Sequence, residues 1–208
     1  MICSQEETTA LARPIPTASK ADLAHFDALH QAIADPWNVR TDWYERHKRG
    51  LLTAMLPQES YGLVFEPGCS IGENTAALAP RCTRLIAADF SPAALQHARE
   101  RVAAGAHVQL EHWDVPEQWP DEPLDLIVIA EFAYYLSPLR LERLWERCLA
   151  SLAPDGQVLM CHWRRPIDDA WLGGDELHER AAAALQLAPM GRYCDDNFRI
   201  DIWQQAAA

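Results

Sequence analysis

The residues best placed to do chemistry lie in one stretch, Val64-Phe65-Glu66-Pro67-Gly68-Cys69-Ser70-Ile71-Gly72-Glu73-Asn74, where a short apolar run gives way to a helix-forming segment. Gly68 permits a sharp turn with backbone close to a ligand, and Gly72 lets a helix begin near the strand. Open parallel sheets bind nucleotides at such a turn, and charge selects which kind. A pyrophosphate sits on the helix N-terminus and calls for a third glycine. No glycine follows Gly72 closely, and Glu66 and Glu73 flank the turn. Each carboxylate opposes a phosphate by about 1 kcal/mol or more at short range. A Walker-type loop also needs a lysine that is absent here. S-adenosylmethionine carries an ammonium and a sulfonium instead, which suit Glu66. The expected contacts of the loop are Glu66, Pro67, Gly68, Cys69 and Gly72.

Three more acidic residues fall at the ends of successive apolar runs. Asp89, with Phe90 beside it, lies about 20 residues beyond the loop, where a carboxylate accepts ribose hydroxyls. Asp114 is placed for the adenine amino group, with Trp113 and Val115 against the ring. Glu131 falls where the transferred methyl belongs. Methyl transfer is an in-line displacement, so the protein must hold a lone pair about 3 Å from the methyl carbon. An amine must also lose a proton first. Glu131 and His162 are the expected base or amine-orienting groups, because each follows a predicted strand at the ligand edge; Tyr135 joins them. Tyr134 and Tyr135 offer aromatic faces to a cation. Trp163, Asp175, Glu176 and His178 complete the expected acceptor contacts. Blander readings stand beside these: His162 as a buried imidazole, and Asp175 and Glu176 as acids at a helix start. His25, His30, His97, His107 and His112 read as surface residues, and Trp145, Trp171 and Trp203 as packing.

The elements that must position these groups alternate between short apolar runs and amphipathic segments, which predicts an α/β fold with a parallel sheet between helices. The predicted strands are Gly62 to Glu66, Arg84 to Ala88, His107 to Glu111, Leu124 to Ala130 and Gln157 to His162. The predicted helices are Gly72 to Pro80, Pro92 to Ala103 and Leu139 to Leu152. Ser91 and Pro92 make a helix start, with a capping oxygen before a ring at the first helical position. Pro154-Asp155-Gly156 reads as a turn. Two helices precede the core, Lys20 to Ala34 and Asp42 to Leu56, separated by Asp35-Pro36. Gly174 to Leu185 is a further helix, and Met190 to Tyr193 with Asn197 to Gln204 predicts a closing antiparallel hairpin. Residues 1–18 read as a flexible segment before one domain over 19–208, of which 19–58 form a helical lid and 59–208 the core.

The chain of 208 residues is 49% hydrophobic and 23% charged, the balance of a folded globular protein. Its formal net charge of -12 opposes nucleic acid and anionic membranes, and points to a small-molecule acceptor. Arg46 to Arg49 form the densest basic run and read as the solvated face of a helix. No apolar run reaches the roughly 18 residues of a membrane span, and the N-terminus lacks a secretory profile, so the cytoplasm is the expected compartment. The six cysteines are scattered without zinc-ligand spacing, and no metal is expected. The expected state is a monomer or a homodimer.

The chain resembles the class I methyltransferases and, within them, the rhizobial nodulation protein S group. The resemblance covers most of the chain. It rests on Asp35-Pro36-Trp37 with Trp43-Tyr44-Glu45-Arg46, on Phe65 to Gly72, and on Glu131-Phe132-Ala133-Tyr134-Tyr135-Leu136. It continues through His162-Trp163-Arg164 and Gly174-Asp175-Glu176-Leu177-His178. It implies a Rossmann-like, doubly wound seven-stranded sheet, mostly parallel, with extra N-terminal helices. It also implies S-adenosylmethionine as donor, leaving S-adenosylhomocysteine, and N-methylation of an amino sugar or deacetylated chitooligosaccharide-like amine. O-methylation of another small molecule, or cofactor binding without catalysis, are the rival expectations. Trp37, Arg40, Trp43 and Tyr44 are expected in a lid, with Trp43 and Arg46 against the cofactor. Ser70 stands where the general methyltransferase loop has glycine, a change that the nodulation-type pattern tolerates.

Overall fold

The structure is a computed structural model and describes residues 23–102 and 106–206. The expected N-terminal segment 1–18, the start of the first helix and Ala103 lie outside the described residues.

A seven-stranded sheet forms the centre, in the order β3-β2-β1-β4-β5-β7-β6. The strands are β1 (Tyr61–Pro67), β2 (Cys82–Asp89), β3 (Val108–His112), β4 (Leu124–Ala130), β5 (Leu152–Trp163), β6 (Ala188–Cys194) and β7 (Phe198–Gln204). The first five are parallel, while β7 runs antiparallel to both β5 and β6. Strand order reverses beside β1, between β2 and β4, so the loops after β1 and β4 open on a shared crevice. The central strands are nearly continuous runs of buried Leu, Ile, Val and Ala because helices cover both faces.

The helices are α1 (Leu23–Ala32), α2 (Trp43–Ala54), α3 (Glu73–Leu78), α4 (Pro92–Arg101), α5 (Pro138–Ser151) and α6 (Gly174–Leu185). Their starts follow local chemistry. The Asp42 carboxylate accepts from the amides of Tyr44 and Glu45, and the Ser91 hydroxyl accepts from the Ala94 amide, each satisfying donors that a helix start leaves unpaired. Helix α3 is shorter than the sequence predicts and ends in a 3-10 turn over Ala79–Arg81, where Pro80 cannot donate to a further helical bond.

One expected turn is absent. Pro154-Asp155-Gly156 lies inside β5, where Asp155 takes a left-handed φ of 62° and the pairing with β4 shifts register between Leu124 and Leu126. Leu152 to Gln157 of β5 lie opposite only Leu124 to Leu126 of β4, an irregularity that interrupts the ladder without ending the strand. Each of the other predicted strands and helices is present, with ends displaced by a few residues as is usual at fraying termini.

Candidate active site

The crevice is a cavity of about 760 Å³, within the ~300–1,000 Å³ typical of small-molecule sites. Its floor comes from the loops after β1, β2 and β4, and its roof from α1, α2 and Trp37. The roof is docked rather than loose. Asp27 of α1 accepts from Ser91 Oγ at 2.6 Å and the Ala93 amide at 3.4 Å. Phe26 meets Tyr135 edge-on with ring centroids 4.8 Å apart, an arrangement that aromatic quadrupoles favour.

The loop after β1 turns through three left-handed residues, Gly68 at φ 71°, Ser70 at 49° and Gly72 at 81°. A Cβ on Gly68 would lie 2.8 Å from the Phe132 ring, and one on Gly72 would lie 3.1 Å from Ala98 of α4. Glycine is therefore required at both positions by conformation and by close approach. Cys69 N–H donates to Ala88 O, Gly72 N–H to Cys69 O, and Ser70 N–H to Asp89 Oδ2 at 2.8 Å. Three amides of the turn are thereby committed.

The electrostatic argument from Glu66 and Glu73 needs correcting. Glu66 does not face the cavity: it is 1% exposed beneath the loop, and Thr75 Oγ1 donates to its Oε2 at 2.6 Å. Burial pushes its carboxyl up to about 8 despite that hydrogen bond, so at neutral pH it is largely uncharged. Glu73 lines the cavity but is offset by Arg101 at 2.7 Å, Arg40 at 3.2 Å and Arg49 at 3.5 Å. The missing third glycine, rather than repulsion from Glu66, disfavours a pyrophosphate here. Pro67 and Gly72 shape the loop without lining the cavity. Gly68, Cys69, Asp89, Phe90, Asp114, Val115 and Glu131 do line it, together with Trp113. Asp89 accepts from the Ser70 and Ser91 amides, and Asp114 is paired with Arg140.

At the other end, Glu131 departs from β4 with a left-handed φ of 57°. Lys48 Nζ lies 2.5 Å from its Oε1, while Tyr134 Oη and the Trp163 amide donate to Oε2 at 2.7 and 2.9 Å. Lys48 stays cationic: burial opposes its charge, but Glu131 beside it raises its pKa overall. Tyr134 stays protonated because burial, then the neighbouring Glu131, push it well above the usual phenol range. Tyr135, Trp163 and Trp171, with the aliphatic Ile167, complete an apolar wall around this end.

Several expected contacts are elsewhere. His162 is fully buried and does not line the cavity. Its Nδ1 lies 3.1 Å from His178 Nε2, and His178 Nδ1 lies 2.7 Å from Asp201 Oδ2. Asp201, held ionised near a pKa of about 2 by His178 and Arg192 against the effect of burial, accepts from His178. His178 then accepts from His162. The pair ties β5, α6 and β7 together inside the core. Asp175 forms a bidentate pair with Arg164, and Glu176 pairs with Arg180 on the surface; neither lines the cavity. Trp43 is 64% exposed and stacks on His47. Arg46 donates to Thr41 O outside the cavity, Arg40 pairs with Glu73, and Tyr44 Oη donates to Asp195. Of the four lid residues, Trp37 alone lines the cavity.

The sequence profile of the nodulation protein S (NodS) family matches residues 19–189. The chain belongs to that family. Nodulation protein S of Sinorhizobium fredii (strain NGR234) is 32% identical over 157 residues, which cover 72% of this chain and 73% of that protein. A crystal structure of a candidate methyltransferase from Pseudomonas syringae is 40% identical, covers 79% of this chain and all of that one, and superposes with a TM-score of 0.71. The N-methyltransferase NodS from Bradyrhizobium japonicum, solved with S-adenosylhomocysteine, is 23% identical, covers 89% of this chain and 99% of that one, and has a TM-score of 0.76.

This member of the nodulation protein S family is an S-adenosylmethionine-dependent methyltransferase. The cavity fits the donor: it offers a glycine turn, a buried carboxylate at the end of β2 and aromatic faces at Phe90 and Trp113. Sequence reasoning missed Phe26, His30, Glu45, Lys48, Arg49, Arg140 and Trp171, all of which line the cavity. His30 is 5% exposed rather than a surface residue. On α2, Glu45, Lys48, Arg49 and Leu52 fall at the helical spacing that marks one inward face, and that was the signal available. Among the described residues no group of three His, Cys, Asp or Glu side chains is arranged for a metal, and no helix is long and apolar enough to cross a membrane.

Proposed function

We propose that the protein methylates the nitrogen of a small primary amine, such as an amino sugar or a deacetylated chitooligosaccharide-like acceptor. The observation that carries this reading is the count of lone pairs on Glu131. A carboxylate offers about four acceptor sites. Lys48, Tyr134 and Trp163 occupy three of them, which leaves one directed acceptor for the N–H of a ligand on the cavity wall.

S-adenosylmethionine supplies a methyl group on a cationic sulfur. Asp89, which lines the cavity, would accept from its ribose, and Arg49, which lines the cavity and bonds Val39 O at 3.2 Å, would offer a guanidinium to its carboxylate. Glu131 orients the amine. Trp163, Ile167 and Trp171 keep water from the reacting nitrogen, which favours its neutral, nucleophilic form. Tyr135, pushed up to about 12 by burial, remains a neutral phenol and does not compete for the methyl. The B. japonicum neighbour is titled an N-methyltransferase, which supports nitrogen over oxygen.

The test is transfer from labelled S-adenosylmethionine to a panel of amino sugars and their oligomers, with phenols and carboxylic acids in parallel. Transfer to amines is expected. Transfer confined to a phenol or carboxylate overturns the nitrogen assignment.

A further inference from the structure

We propose that Glu45 is the catalytic base that takes the proton an incoming ammonium must lose, an assignment that rests on the nitrogen reading above. Glu45 and Glu131 both lie against one Lys48 Nζ, at 3.0 and 2.5 Å, and all three residues line the cavity. Two carboxylates facing one ammonium leave a single negative charge on this wall. An amine arriving as its ammonium balances it.

The two acids are not equivalent. Glu131 has three of its four acceptor sites filled by protein donors. Glu45 receives one hydrogen bond, from Lys48 to Oε1, and its Oε2 has no hydrogen-bond partner among the described residues. Its side chain is 20% exposed, so a proton gained there can pass to water. Lys48 of its own helix lies against it, Glu131 after β4 lies across Lys48, and Cys161 lies on β5. Cys161 stays protonated, since burial, then Glu131, push its thiol far above the usual range. Asp195 is engaged by the Tyr44 hydroxyl and the amides of Asn197 and Phe198.

The chemistry balances without another reactant. The ammonium gives one proton to Glu45 and gains a free lone pair. That lone pair forms the nitrogen–carbon bond while the carbon–sulfur bond breaks, with its electrons going to sulfur. The product leaves as a secondary ammonium, and Glu45 releases its proton to solvent. Lys48 is the positioning residue that fixes both acids around the nitrogen.

Initial rates with glucosamine, its β-1,4 dimer and ethanolamine, measured between about pH 6 and 10 for wild type, Glu45→Gln and Glu45→Asp, test this. Glu45→Gln is expected to lose roughly 10²-fold in kcat near neutral pH, with the gap closing as pH approaches the acceptor's own pKa. Glu45→Asp keeps the wild-type profile at a lower rate. S-adenosylhomocysteine affinity by calorimetry stays within about threefold in both, because Glu45 serves the acceptor end. A loss of equal size at every pH, or no loss, overturns the assignment while leaving the nitrogen reading intact. Wild-type transfer only to oxygen nucleophiles, or to none of the probes, overturns both.

Discussion

The cavity wall after β1 and β2 is built largely from backbone, whereas the wall beyond β4 and β5 is built from charged side chains. At the first, left-handed turns and committed amides set the shape, and the Glu66 carboxyl beneath is buried and raised to about 8. At the second, a buried ammonium, two carboxylates and a phenol share hydrogen bonds across α2, the β4 end and β5. A nucleoside has a fixed shape that every turnover presents alike, so a preformed turn with a few fixed side chains suffices. The acceptor must change protonation state during the reaction, and that calls for titratable groups.

The largest expected effect breaks this contrast if it fails. The Glu66 carboxyl titrates at about 4.5 when unfolded and about 8 when folded, so its contribution is fully present below pH 4.5 and is lost as pH rises through 8. Above that point the folded state must hold a buried anion, at a cost on the order of 5 kcal/mol. Glu66→Gln keeps an acceptor for Thr75 and is expected to exceed wild type in stability at pH 9 by roughly that amount. Near pH 5 the two should denature alike in urea. Because Glu66 does not line the cavity, S-adenosylhomocysteine affinity should change by less than about fivefold, an interaction difference under ~1 kcal/mol. A collapse of affinity in this variant would mean that a charged loop, after all, selects the donor.

A smaller effect sharpens the same contrast. Asp89 holds the Ser70 amide of one loop and the Ser91 amide of the next, and it lines the cavity. Asp89→Ala is expected to weaken S-adenosylhomocysteine binding by about 1–3 kcal/mol, measured by calorimetry, while the acceptor's KM at saturating donor stays unchanged. A KM effect as large as the loss of donor affinity would show that the two walls do not act separately.

The backbone wall was the legible one. Gly68 and Gly72 sit together in sequence and their types report a conformation, and Asp89, Asp114 and Glu131 follow visible strands. The charged wall was hidden because its partners are far apart: Lys48 and Glu131 are separated by 83 positions. Within α2, charged residues at inward spacing look the same in sequence as a solvated face, and Arg46 and Lys48 differ only in which way the helix turns them. His162 misled for a related reason. It ends a strand at the ligand edge, but its side chain falls on the face covered by α6, where its Nδ1 meets His178, which Asp201 in turn holds.

The smallest effect concerns how far the charged wall extends. Asp175 begins α6 beside residues of the acceptor side, yet its carboxylate is 44% exposed, bound to Arg164 and absent from the cavity lining. Exposed pairs of this kind contribute about 0.2–1 kcal/mol and fade with salt. Arg164 remains held by Asp195 O when that partner is lost. Asp175→Asn should therefore lower the melting temperature only slightly, with the difference shrinking in about 1 M salt. Its kcat/KM for an amine acceptor should stay within about twofold of wild type, less than 0.5 kcal/mol in transition-state binding. A tenfold fall in kcat/KM with the pH profile retained would place α6 in the acceptor site and move the boundary of the charged wall past β5.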